Sequence, residues 1–115
     1  MKIDYELVRQ LLLKIELSAD GHKVFSNMDF FVCFPDENQV KVDYHLKYLL
    51  DSGLVEGDST ICIVDITPYG REYLDNIRDD SVWKSVKERI HKLDSVALPV
   101  VSKVAESIVL KALGL

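Results

Sequence analysis

The first regular feature of the chain is an apolar stripe at helical spacing that follows Asp4. Its members are Leu7, Val8, Leu11, Leu12 and Ile15, with charged and polar residues between them. Spacings of three and four residues place such side chains on one face of an α-helix, and Asp4 is a preferred N-cap residue. We expect this helix to reach about Leu17, because Gly21 can adopt the left-handed conformation that ends helices.

The segment from residue 22 to residue 34 has a different pattern, dense in aromatic and β-branched residues. It ends in the run Phe30-Phe31-Val32-Cys33-Phe34, a composition that favours a short strand. Pro35 ends this strand, and Asp36 with Gln39 forms a capping-box pattern for the next helix. The few residues before Val42 leave room for about one helical turn, so a second helix is either vestigial or fused with the next one.

The next helix covers residues 42–52, where Val42, Leu46, Leu49 and Leu50 form its apolar stripe. It stops at Gly53-Leu54-Val55-Glu56, and a strand-like run follows over residues 60–66. Thr67-Pro68 then begins another helix, because proline is favoured at the first helical position. A helix, a short hairpin and a Thr-Pro-x-Gly helix start follow the plan of a winged helix-turn-helix. We therefore predict an α+β fold in which residues 1–80 form a winged-helix domain with a small antiparallel sheet.

Two further amphipathic helices are predicted over residues 81–115, after a break and a fresh N-cap at Asp79-Asp80-Ser81. The first presents an apolar face formed by Trp83, Val86, Ile90 and Leu93. The second begins near Leu98-Pro99 and carries a wide stripe formed by Val101, Val104, Ala105, Ile108, Val109 and Ala112. We expect these helices either to pack on the winged domain, as one compact unit, or to form a homodimer interface.

Charge is distributed unevenly along the 115 residues. Residues 1–80 contain 8 Lys/Arg and 16 Asp/Glu, a net charge of −8, whereas residues 81–115 contain 6 and 3, a net charge of +3. A DNA-binding domain usually carries a basic stripe. Here the part of the chain that has the pattern of a DNA-binding domain is the acidic part.

The chain resembles the bacterial and phage-associated family called domain of unknown function 2513. The resemblance rests on Asp4-Tyr5-Glu6-Leu7-Val8-Arg9, on Tyr44-His45-Leu46 with Leu49-Leu50 and Gly53-Leu54, and on the stretch from Ile66-Thr67-Pro68 to Ile77-Arg78-Asp79-Asp80-Ser81-Val82-Trp83. The Ile-Arg-Asp-Asp-x-x-Trp continuation is its specific part. The resemblance implies a winged-helix fold and frequent residence in mobile elements, and it implies no particular activity.

Two functional hypotheses fit this pattern. In the first, the protein is a nucleic-acid-binding regulator in which Lys41, Lys47 and Tyr48 approach DNA, with help from basic residues near the C-terminus, Lys84, Lys87 and Arg89. In the second, it is an acidic adaptor that binds a protein partner and not DNA. Charge favours the second hypothesis, because carboxylates surround the reading helix and no Lys or Arg occurs from Gly53 to Gly70. The fold favours the first hypothesis, because helix-turn-helix domains commonly bind DNA, so neither hypothesis prevails from the sequence.

Other chemistry has little support in the sequence. His45 lies near the inward edge of its helix and is expected to be a hydrogen-bonded structural histidine, and Trp83 is expected in the core. Cys33 and Cys62 are predicted to be buried free thiols. We expect no metal site, because His22 and His91 have no acid or thiol at ligand spacing, and no cofactor or catalytic residue, because no catalytic motif occurs. The sequence predicts a cytoplasmic location without a signal peptide or membrane span.

Overall fold

The computed structural model describes residues 1–58 and 60–115. These residues form six helices and three short strands, an α+β arrangement. In chain order the elements are α1 (Tyr5–Ser18), β1 (Phe25–Ser26), α2 (Asn27–Cys33), α3 (Gln39–Asp51), β2 (Val55–Asp58), β3 (Cys62–Ile66), α4 (Pro68–Ile77), α5 (Asp80–Ile90) and α6 (Leu98–Ala112).

The three strands form one antiparallel sheet in the order β1-β3-β2. Phe25 of β1 lies opposite Ile63 of β3, and Val55 of β2 lies opposite Ile66. The ladder between β2 and β3 shifts register between Glu56 and Gly57. The predicted α+β class, the small antiparallel sheet and the two helices at the C-terminal end are confirmed.

The described chain divides into two compact units. One comprises Ile3–Arg71, and the other comprises Met1–Lys2 together with Glu72–Leu115. Three expectations about this organisation stay predictions. They are the division of the sequence at residue 80, the packing of the last two helices on the first domain, and a dimer interface through these helices. None of the helices in the described part of the chain is long and apolar enough to cross a membrane.

The prediction for α1 is confirmed at its start and along its apolar face. The Asp4 carboxylate accepts hydrogen bonds from the backbone N–H groups of Glu6 (3.0 Å) and Leu7 (3.2 Å), which satisfies two of the free donors at a helix N-terminus. All five residues of the predicted stripe are buried. They contribute the α1 face of the core in this unit.

The strand predicted within residues 22–34 is confirmed only at Phe25–Ser26, which pair with β3; the run over residues 30–33 was wrongly included in it and belongs to α2. The Asp29 carboxylate accepts a hydrogen bond from the Ser26 N–H (2.9 Å) at the start of the helix, and this local cap outweighs the β propensity of the aromatic residues. Burial is one-sided, as expected for a surface helix: Phe30 is buried against Phe25, with ring centroids 6.4 Å apart, whereas Val32 is 80% exposed. The second helix is therefore neither vestigial nor fused, and it precedes Pro35.

Helix α3 begins earlier than predicted and has a different cap. Asn38 is the N-cap, and its side-chain oxygen accepts hydrogen bonds from the N–H groups of Val40 (2.8 Å) and Lys41 (3.3 Å). The capping box predicted from Asp36 and Gln39 is therefore wrong. The predicted apolar stripe points into the core, where Val42, Leu46 and Leu49 are fully buried.

A compact turn around Thr67 ties the end of α3 to the start of α4. The Thr67 hydroxyl donates a hydrogen bond to the Gly53 carbonyl (2.5 Å) and accepts one from the Gly70 N–H (3.0 Å). The Thr67 N–H donates to the Leu54 carbonyl (3.1 Å). A Cβ at Gly70 would collide with that same carbonyl oxygen. The Thr-Pro-x-Gly sequence thus supplies a hydroxyl that bridges two backbones and a residue small enough to let them approach.

Helices α5 and α6 pack against each other in the second unit. Asp79 caps α5 through the N–H groups of Ser81 (2.9 Å) and Val82 (3.0 Å), and Trp83 is buried as predicted. The prediction that Leu93 belongs to the apolar face of α5 is wrong, because α5 ends at Ile90 and Leu93 is 61% exposed.

Candidate binding surfaces

Helix α3 carries a groove of about 490 Å³ that is lined by Tyr44, Lys47, Tyr48, Asp51 and Ser52. We call these five residues the α3 surface. Tyr44, Lys47 and Asp51 are exposed, and Tyr48 and Ser52 are half-buried. The α3 surface therefore offers one ammonium group, one carboxylate and two phenol rings, without an excess of positive charge.

Lys41, the first predicted DNA-binding residue, is held in an intramolecular ion pair. Its Nζ lies 2.8 Å from Asp4 Oδ2 and 3.5 Å from Glu37 Oε2. The hydrogen bond with Asp4, assisted by the charges of Asp4 and Glu37, raises the pKa of the Lys41 ammonium. Partial burial acts to raise the pKa of the Asp4 carboxyl. The hydrogen bonds from Lys41 and from the N–H groups of Leu7 and Glu6, with the charge of Lys41, outweigh this effect of burial, so the pKa of Asp4 is lowered. Both groups remain charged at neutral pH and neutralise each other.

His45 connects the starts of α1 and α3, and its burial confirms the prediction of a structural histidine. Its Nε2 accepts a hydrogen bond from the Asp4 N–H (2.8 Å), so in the neutral ring the proton resides on Nδ1. Nδ1 in turn donates to the Lys41 carbonyl (2.7 Å). The ring is fully buried. Both nitrogens are engaged within the unit, which fixes the position of α3 relative to α1.

Tyr48 and Lys47, the other two predicted α3 residues, lie in different surroundings. Tyr48 is half-buried, and burial together with a hydrogen bond to the Tyr5 hydroxyl raises the pKa of its phenol well above the ordinary value. Its hydroxyl is therefore a neutral group with a partner in α1. Lys47 is the one of the three predicted residues that is exposed.

The hairpin formed by β2 and β3 adds negative charge to the same unit. Glu56 and Asp58 are exposed, and Asp65 is half-buried. Asp58 accepts hydrogen bonds from the hydroxyl (2.6 Å) and N–H (3.0 Å) of Thr60, and these bonds lower the pKa of its carboxyl. The hairpin is thus anionic at neutral pH.

The other predicted cationic residues, Lys84, Lys87 and Arg89, lie on α5 in the second unit and are all exposed. Glu88 is exposed between them. Helical spacing places Lys84, Lys87 and Glu88 on one side of α5, with Arg89 turned further around the helix. Lys84, Lys87 and Arg89 thus form a basic region of α5, with Glu88 as an acidic neighbour.

A second groove, which the sequence did not predict, lies between α1, β1 and α2 and has a volume of about 340 Å³. We call it the α1–α2 pocket; its lining residues are Lys14, Ile15, Ser18, Phe25, Asp29, Phe30, Val32 and Cys33. Cys33 is exposed, so the prediction of a buried thiol is wrong for this residue, whereas Cys62 is half-buried in β3. The signal that could have revealed the pocket is the Ser-x-x-Asp capping pattern at Ser26, which predicts a helix there instead of a strand.

Across residues 1–58 and 60–115, His, Cys, Asp and Glu side chains form no group of three or more that could hold a metal ion. The free cysteines do not form a disulfide in the structure.

Comparison with known proteins places the chain in a family. The model of the family described as "Hypothetical protein (DUF2513)" matches residues 2–97, which include every element from α1 to α5. The chain belongs to this family. The predicted resemblance is thus confirmed, and α6 lies just beyond the matched range of this DUF2513 chain.

A full-length relative of the DUF2513 chain is an "Uncharacterized protein" of Haemophilus influenzae. The two are 32% identical over 122 residues, which cover 99% of this chain and 100% of the relative. No solved structure matches the chain. Residence in mobile elements, a cytoplasmic location and the lack of an enzymatic activity stay predictions.

Proposed function

We propose that this DUF2513 protein is a winged-helix module whose α3 surface binds a protein partner and not nucleic acid. The winged-helix assignment is supported by the order α1-β1-α2-α3-β2-β3 and by the sheet order β1-β3-β2. In such a module α3 takes the position of the reading helix, and the β2–β3 hairpin takes that of the wing.

The observation that carries this proposal is the ion pair of Lys41. A phosphate that approached Lys41 would have to compete with the Asp4 carboxylate at 2.8 Å and with Glu37. Lys47 then remains as the exposed cation of the α3 surface, with Asp51 four residues away. The unit Ile3–Arg71 has 6 Lys/Arg against 12 Asp/Glu, so its long-range field repels a polyanion.

The composition of the α3 surface suits a protein partner. Tyrosine is enriched at protein interfaces, because its ring buries a large area at a low entropic cost while its hydroxyl keeps a hydrogen bond. Tyr44 is exposed, and Tyr48 is held in place by Tyr5. Lys47 and Asp51 supply one charge of each sign at the rim, which would set the orientation of the partner.

A second candidate function, nucleic-acid binding through α5, is favoured by the exposed Lys84, Lys87 and Arg89. These residues could neutralise phosphates without the involvement of the α3 surface. The two candidates therefore differ in the helix that makes contact and in the salt dependence of the interaction.

Retention of sheared genomic DNA on immobilised protein distinguishes them, measured at about 50 and 200 mM salt. The proposal predicts no retention that depends on Lys47, so wild type and Lys47→Glu behave alike. Retention that is lost at the higher salt and in the Lys84→Glu/Lys87→Glu variant would support the second candidate. Retention that is lost in Lys47→Glu would overturn the proposal for the α3 surface.

A further inference from the structure

The α1–α2 pocket has the size and the wall of a small-molecule site. Its volume of about 340 Å³ falls at the lower end of the range for ligand pockets, roughly 300–1,000 Å³. Ile15, Phe25, Phe30 and Val32 supply an apolar lining. The rings of Phe25 and Phe30 meet edge to face at 68°, so two aromatic groups form a wall of fixed shape.

The two charged residues of the pocket, Asp29 and Lys14, differ in whether the protein already provides them with a partner. The Asp29 carboxylate is engaged at the start of α2, where it accepts hydrogen bonds from the Ser26 N–H (2.9 Å) and hydroxyl (3.5 Å). Lys14 is half-buried, and no carboxylate among residues 1–58 and 60–115 forms an ion pair with it. Its aliphatic stem can lie along the apolar wall while its ammonium group faces the pocket opening.

We propose that the α1–α2 pocket binds a small organic carboxylate with an aliphatic chain or a single ring. The apolar part of the ligand lies against the half-buried Phe25 and the exposed Val32, in front of the buried Phe30. Its carboxylate pairs with the Lys14 ammonium. The Ser18 hydroxyl supplies a further hydrogen bond at the same side of α1, since residues 14 and 18 are one helical turn apart. This inference concerns a site other than the α3 surface and does not depend on the proposed partner.

Cys33 provides the test, because it lines the pocket and is exposed. Its alkylation by iodoacetamide is followed by mass spectrometry on the full chain, with Cys62 in β3 as the internal reference. Octanoate serves as the probe, and its size predicts a dissociation constant on the order of 1 mM. At ten times that constant, alkylation of Cys33 is expected to be about ten-fold slower and alkylation of Cys62 unchanged.

Two comparisons test the role of the charge. Lys14→Met is expected to weaken octanoate binding about ten-fold, because the charge-assisted hydrogen bond is lost, whereas Lys103→Met on α6 removes the same charge without effect. 1-Octanol has the same chain length as octanoate but no carboxylate. We expect 1-octanol to protect Cys33 of the wild-type protein only weakly, to the same extent as octanoate protects Cys33 of Lys14→Met. Circular dichroism spectra that match wild type show that Lys14→Met retains the fold.

Three results would overturn the inference. The first is unchanged Cys33 alkylation at about ten times the predicted dissociation constant of octanoate. The second is equal protection by octanoate and 1-octanol, which would show an apolar site without selection for a carboxylate. The third is protection that rises with protein concentration in the absence of octanoate, which would show that a second copy of the chain occupies the pocket.

Discussion

His45 is the residue through which the position of α3 can be perturbed most directly, and we predict that His45→Leu destabilises the protein by about 2–4 kcal/mol. The substitution removes the hydrogen bonds to the Asp4 N–H (2.8 Å) and from Nδ1 to the Lys41 carbonyl (2.7 Å). Each bond contributes about 1 kcal/mol, and the partly buried Asp4 N–H that is left without a partner costs a further 1–3 kcal/mol. Together these losses amount to about 3–5 kcal/mol, and burial of the leucine side chain offsets roughly 1 kcal/mol of them.

The assay combines a global and a local measurement. Urea unfolding followed by circular dichroism gives the change in the free energy of unfolding. Hydrogen exchange of the Asp4 amide, followed by NMR, reports the bond to Nε2 itself. His45→Gln places an amide oxygen near the position of Nε2, so we expect it to retain protection of the Asp4 amide and about half of the lost stability. His22→Leu changes an exposed histidine and should stay within about 0.5 kcal/mol of wild type.

Two results would refute this reasoning. Stability of His45→Leu within about 0.5 kcal/mol of wild type would show that the buried imidazole does not hold α1 and α3 together. An Asp4 amide that exchanges equally fast in wild type and in His45→Leu would show that the hydrogen bond to Nε2 does not form in solution.

Three further predictions concern the caps and the turn. The lowered pKa of Asp4 means that its charge stabilises the folded state at pH values above 3.8 and that this contribution is lost as the pH falls through the lowered folded-state pKa. Asp4→Asn keeps the cap but removes the ion pair with Lys41, so it should lower the free energy of unfolding in urea by about 0.5–1 kcal/mol at pH 7. The difference from wild type should shrink in acid, and a difference that stays constant with pH would contradict the role of the charge. Gly70→Ala forces a methyl group onto the Leu54 carbonyl, and we expect a loss of about 2–4 kcal/mol in thermal unfolding, whereas less than about 1 kcal/mol would contradict the close approach. Asp29→Ala should cost about 1 kcal/mol and increase hydrogen exchange within α2, and unchanged exchange there would argue against the capping interaction.

The elements that periodicity predicted correctly are those with long apolar stripes and strong terminal signals. Helix α1 has its N-cap at Asp4, α4 begins at Pro68 and α5 follows the cap at Asp79, because each signal acts within a few residues of the element it controls. Helix α2 was missed, since seven residues rich in aromatic side chains fit a strand by composition. The local cap at Ser26 decided the outcome.

The candidate sites depend on contacts that sequence spacing does not contain. Lys41 was predicted to bind phosphate because its partner Asp4 lies 37 positions away in the sequence. The bond between His45 and Asp4 likewise spans 41 positions. Helical periodicity did place His45 on the inward side of α3 and Lys47 on the outward side. It could not show which charged groups neutralise each other, and that pairing is what changes the functional interpretation.

Photo-crosslinking from the α3 surface tests the central claim most directly. A benzophenone amino acid replaces Tyr44 in the full chain expressed in the source cells, and the same substitution at the exposed Lys103 of α6 serves as the matched control. The account predicts an adduct at position 44 that is resistant to nuclease and contains one discrete protein, with a lower yield when Lys47→Glu is added. An adduct that nuclease degrades, or the same protein captured equally from position 103, would contradict it.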